Sequence, residues 1–179
     1  FILRGESGIG KTRLASEFGA QVKDAAEILL GRCHEFGMTL PYRLFTEPLR
    51  EFFKKALAAG TDIRSLVGAR PAEVVDFIPE IAASGIEVGR SVKISDAGAK
   101  YRLFEAISQI VAAIANTKPV FFMLDDLQWA DGLSRELLGY LVQNTGAERV
   151  LFCATWREEG AAAMDVEGAE VIDLAGLEF

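Results

Sequence analysis

The chain has 179 residues, half of them hydrophobic, with a formal net charge of -7 and a pI near 4.9. Its length suits one domain, residues 1–179, with a substantial core, and its acidic balance argues against a nucleic-acid-binding surface. No apolar run approaches the roughly 20 residues of a membrane span, so neither a membrane nor a nucleic acid is expected as a partner.

Phe1-Ile2-Leu3-Arg4 reads as a short buried strand. With no initiator Met, no visible signal peptide and a strand at the first residue, the chain reads as a cytoplasmic segment of a longer protein. The strand runs into Gly5-Glu6-Ser7-Gly8-Ile9-Gly10-Lys11-Thr12, which satisfies G-x-x-x-x-G-K-[ST] at every fixed position. Small residues let the backbone curl until successive N–H groups face phosphate oxygens. Lys11 brings a charge to the β- and γ-phosphates, Thr12 offers a hydroxyl to Mg²⁺, and the next helix presents its positive end to the same anion. That helix is expected from Thr12 to about Val22, with Leu14, Phe18 and Val22 on one apolar face. Arg13 completes the segment expected to hold nucleotide.

Glu27 to Cys33 reads as a second strand. Cys33 and His34 resemble half of a metal site, but no second pair stands at ligand spacing, so the two cysteines, Cys33 and Cys153, are read as small buried hydrophobes. A long helical excursion follows. Leu44, Phe45, Leu49, Phe52, Phe53 and Leu57 recur at helical spacing, with Pro41 and Pro48 in the first turns. Shorter helices are expected at 63–67 and 72–83, the latter kinked or ended by Pro79. Residues 85–98 read as a mobile loop, and Leu103 to Ile114 as an amphipathic helix.

Val120 to Leu124 is a continuously apolar third strand, expected at the centre of a covered sheet. It delivers Asp125 and Asp126 to its C-terminal end, where a P-loop needs a carboxylate. Asp125 is the expected magnesium-side acid, and Asp126 is placed to orient or deprotonate an attacking water. Asp131 is the expected N-cap of a helix whose Leu133, Leu137, Leu138 and Leu141 face inward. Residues 149–155 form a fourth strand and 170–174 a fifth. After the fourth, Arg157 either senses the γ-phosphate, the reading preferred here, or pairs with Glu158 or Glu159. The alternation of strands and helices predicts an α/β three-layer sandwich around a mainly parallel five-stranded sheet, with a helical insertion between strands 2 and 3.

Together these segments resemble the signal-transduction ATPases with numerous domains, the STAND branch near the AAA+ ATPases, as found in LuxR/MalT-type regulators and in modules attached to some bacterial adenylate cyclases. The resemblance is carried by residues 5–14, by Gly31-Arg32-Cys33 with Leu40-Pro41-Tyr42, by Leu124-Asp125-Asp126-Leu127-Gln128-Trp129-Ala130-Asp131, and by Thr155-Trp156-Arg157-Glu158-Glu159. It implies ATP or ADP and Mg²⁺ as ligands, held by the loop and by Asp125, with Asp126 assisting hydrolysis and Arg157 as a strand-end sensor. It also implies a slow switch: ADP holds a closed resting state, and inducer plus ATP permits self-association and output, with self-association or the other domains of the full-length protein as partners. The Gly-Arg-x-x-Glu segment that helps hold adenine in the family is absent, and lid, inducer-binding and output domains are expected beyond Phe179. The alternative reading is a nucleotide-binding scaffold with negligible turnover. A P-loop kinase lacks an arginine-rich lid here, and Asn116-Thr117-Lys118-Pro119 lacks the aspartate of a guanine reader. Arg43, Arg90 and Arg102 are the nominal candidates for an arginine finger.

Overall fold

The structure, a computed structural model, describes residues 1–35, 41–68, 70–87, 97–146, 148–157, 166 and 168–176. The elements run β1 (Ile2–Gly5), α1 (Lys11–Val22), β2 (Glu27–Arg32), α2 (Arg43–Ala58), α3 (Arg64–Val67), α4 (Pro71–Val74), α5 (Glu80–Ala83), α6 (Ala97–Thr117), β3 (Val120–Asp125), α7 (Gly132–Asn144), β4 (Val150–Arg157) and β5 (Val171–Asp173).

The five strands lie in the order β2-β3-β4-β1-β5, and every pairing is parallel. The chain therefore crosses three positions from β1 to the β2 edge and then steps back through β3 and β4. Right-handed crossovers put the outward connection on one face and the returning ones on the other. The two cores follow that rule. Leu3, Phe121, Met123 and Cys153 pack with Ala15 of α1 on one face. Ile2, Leu29, Phe122, Leu124 and Ala154 pack with α2, α6 and α7 on the other. The sandwich is thus three-layered and lopsided, with β3 buried at all six positions because both of its faces are covered.

Local chemistry sets several boundaries. Helix α2 ends in a Schellman closure: Gly60, at φ 73°, donates to the Leu57 carbonyl, and the Thr61 N–H donates to the Ala56 carbonyl. Asp131 caps α7 through the Ser134 N–H at 2.9 Å, as its position before the leucine pattern predicts. Pro48 lies inside α2 and has no N–H for the Leu44 carbonyl. That carbonyl instead faces β2, where a Cβ on Gly31 would stand 2.1 Å from it. Only glycine admits so close an approach.

Two expectations are corrected. The buried residues of α1 are Lys11, Ala15 and Gly19, whereas Leu14 and Phe18 remain 48% and 41% exposed. Small residues bring the helix axis close to the sheet, with Gly19 against Phe121 and Ile28, so the larger side chains splay to the flank. Phe18 then meets Phe121 edge-on at 5.0 Å. The single helix expected over 72–83 is two one-turn helices, α4 and α5, because Pro79 cannot donate to the carbonyl four residues back and starts a new turn instead. Of the loop expected at 85–98, residues 88–96 lie outside the described residues, and Gly98 already belongs to α6. Among the described residues no helix is long and apolar enough to cross a membrane.

Candidate functional site

The Gly5–Thr12 loop joins the C-terminal end of β1 to the N-terminus of α1. Gly8 and Gly10 hold φ of 80° and 105°, backbone settings that side-chain-bearing residues rarely adopt. Lys11 is buried, and its Nζ arches back over the loop to donate to the carbonyls of Gly5 and Glu6 at 2.8 and 2.7 Å. Glu6, Ser7 and Gly8 are exposed at the loop's outer rim, and Thr12 and Arg13 open the helix on the same side.

Strand order brings the acids to this loop. β4 lies between β1 and β3, with Gly5 level with Arg157 and Leu124 level with Ala154. Thr155 consequently stands beside Asp125. Its hydroxyl donates to Asp125 Oδ1 at 2.8 Å and accepts the Asp126 N–H at 2.8 Å. The Thr12 hydroxyl donates to the same Asp125 oxygen at 2.8 Å. A hydroxyl and a carboxylate converging beside a phosphate cradle form a hard-oxygen donor set of the kind Mg²⁺ takes. These residues fit a magnesium–nucleotide.

Asp126 is turned out of the strand with φ 55° and ψ 47°, a left-handed setting that aspartate tolerates better than most residues. Its carboxylate is held from two sides. Arg157 donates through Nε to Oδ1 at 3.1 Å and through Nη2 to Oδ2 at 3.3 Å. Gln128 Nε2 donates to Oδ1 at 2.9 Å, while Gln128 Oε1 accepts the Arg157 N–H at 3.2 Å. Arg157 thus has a partner that the sequence reading did not weigh. Glu158 and Glu159 lie outside the described residues.

Burial first, and after it the carboxylates of Asp131 and Asp126, push the nearby Cys33 thiol up to about 12. Among the described residues no cluster of three or more His, Cys, Asp or Glu side chains could hold a metal. Of the arginines considered as fingers, Arg43 pairs with Glu47 at 2.7 Å and Arg102 with Glu73 at 3.3 Å, and Arg90 lies outside the described residues. A groove of about 440 Å³ between β2 and α2 contains no residue of the cradle, so its size gives it no claim on the nucleotide.

The residues predicted from sequence as a phosphate loop, two acids and a strand-end arginine therefore meet at one edge of the sheet. Sequence reasoning missed Thr155 as a tether for both acids, and Gln128 entered it only as part of the Leu124-to-Asp131 run that carries the resemblance. Their hydroxyl and amide types in otherwise apolar strand-end segments were the available signal; the strand register that gives them partners was not.

A family model described as "AAA ATPase domain" matches residues 1–153. No curated protein and no solved structure matches the chain.

Proposed function

We propose, from the premise that this chain belongs to the AAA ATPase domain family, that it binds ATP with Mg²⁺ and hydrolyses it slowly as a regulatory switch. The observation that carries the reading is the meeting of Thr12 and Asp125 at 2.8 Å beside the phosphate loop. Gly5, Glu6, Ser7, Gly8, Ile9 and Gly10 would wrap the phosphates with backbone N–H groups. Lys11 would exchange the Gly5 and Glu6 carbonyls for β- and γ-phosphate oxygens. Thr12 and Asp125 would hold Mg²⁺, which when bound neutralises charge on the phosphates. Asp126 would orient the attacking water and take its proton, as ADP leaves with the electrons of the broken bond. Arg157 would turn from Asp126 toward the γ-phosphate.

The finer assignment to the STAND branch, with ATP-dependent self-association or contact to other domains, rests on the Asp125-Asp126-Leu127-Gln128-Trp129-Ala130-Asp131 run and belongs to this proposal. One observation favours the scaffold alternative. The carboxylate assigned to water already has both oxygens paired with Arg157, which suits a protein that holds nucleotide more than it consumes it.

Calorimetric titration with Mg-ATP, ADP and Mg-GTP tests the site. Adenine-selective binding that disappears in Lys11→Ala is expected, along with loss of the magnesium dependence in Asp125→Ala. Equal binding by wild type and both variants would end the assignment. Single-turnover hydrolysis by wild type but not Asp126→Asn separates the switch from the scaffold.

A further inference from the structure

We infer that Gln128 is a positioning residue for Asp126, holding its carboxylate in place when Arg157 turns to the nucleotide. The inference rests on the ATPase reading above. Gln128 sits in a single 3-10 turn, Leu127–Trp129, between β3 and α7, and it is 7% exposed. Polar side chains so deeply buried are retained only with their hydrogen bonds made. Both ends of this amide are engaged, each with a group of the site. The NH₂ end meets Asp126 Oδ1 at 2.9 Å, and the oxygen end meets the Arg157 N–H at 3.2 Å. A flipped amide would set oxygen against carboxylate and NH₂ against N–H, so the partners fix its orientation. The backbone carbonyl of Gln128 accepts from Arg135 Nη2 at 3.1 Å, which ties the turn to α7 as well.

The donors to Asp126 are unequal in what they can do next. Arg157 contributes two contacts through a guanidinium on a half-buried side chain, and a polyphosphate in the cradle would compete for that charge. Gln128 is neutral and pinned at both ends and through its backbone, so an arriving anion has little hold on it. After Arg157 departs, Oδ1 keeps its Gln128 donor and Oδ2 becomes available to water. The left-handed backbone of Asp126 is a setting held by its surroundings, the Thr155 hydroxyl on its N–H and the Gln128 amide on its carboxylate among them.

The test is single-turnover and steady-state hydrolysis of Mg-ATP by wild type, Gln128→Leu, Gln128→Glu, Asp126→Asn and the double variant Gln128→Leu/Asp126→Asn. Gln128→Glu keeps the size and the acceptor for the Arg157 N–H but faces Asp126 with an oxygen, so it answers the question even if Gln128→Leu misfolds. Both single changes at 128 are expected to lower kcat about ten-fold or more, with KM and the Kd for Mg-ATP within about two-fold of wild type. The double variant should be no slower than Asp126→Asn alone, because Gln128 acts through that carboxylate. Wild-type rates at 128, a loss confined to KM and Kd, or additive losses in the double variant would each overturn the inference and leave the ATPase reading standing. Wild-type protein that binds Mg-ATP without turning it over would remove both.

Discussion

Cys33 follows β2 with its N–H donating to the Asp125 carbonyl at 3.0 Å, so its thiol sits in the shadow of the acids. Burial and the Asp131 and Asp126 carboxylates all disfavour the thiolate, in that order. The thiol is raised from 9.0 to about 12, which leaves far less thiolate at pH 8 than an ordinary cysteine carries. Alkylation at Cys33 in the metal-free protein should be at least about ten-fold slower than in the unfolded chain, read site by site by mass spectrometry. Reaction at the rate of the unfolded chain would mean that neither burial nor the carboxylates act on the thiol. Between pH 9 and 12 the unfolded chain loses this proton and the folded one keeps it, so the contribution is whole below pH 9 and is lost as pH rises toward 12. Cys153 shares the direction through burial, without the acids.

Among the elements, α2 and β2 show how far sequence pattern reaches. Gly31→Ala should be among the more destabilising single changes, because the new Cβ meets backbone at 2.1 Å rather than a side chain that can swing away. A cost of about 2–3 kcal/mol and a Tm lower by roughly 5–10 °C are expected by thermal denaturation. A Tm within a degree of wild type would show that α2 can move off the strand. Nothing in Gly31 itself announces this, since the clash comes from Leu44 in another element. The elements that were legible carry their cause locally: the glycine loop, the apolar run ending in two acids, the 103–114 helical stripe and the Asp131 cap. Those that were not depend on distance. The buried face of α1 is decided by how close the sheet lets it come, which favours Ala15 and Gly19 over Leu14 and Phe18. The partner of Arg157 lies 31 residues away, and a strand register had to exist before it could be named.

For the molecule as a whole, the parallel order β2-β3-β4-β1-β5 decides where ligand binding and stability meet. The cradle and the acids lie on separate strands, so a nucleotide that contacts both should stabilise the entire sheet rather than one loop. Mg-ATP at 100 times its Kd is expected to add about 2.7 kcal/mol and raise the Tm of wild type, with no shift in Lys11→Ala. A shift of the same size in both proteins would place the nucleotide elsewhere.

That strand order also carries a consequence for the making of the chain. β1 pairs on one side with β4, Ile2 beside Ala154, and on the other with β5, Ile2 beside Val171. Thr12 and Asp125 are both synthesised before β4, the strand that sets β1 and β3 at their working separation. A ribosome-bound intermediate thus contains the loop and the acids without the means to align them, and closing so long a loop is the slow step of such a topology. On the proposed reading nucleotide affinity waits for β4, and its appearance on a nascent chain would mark the docking of that strand.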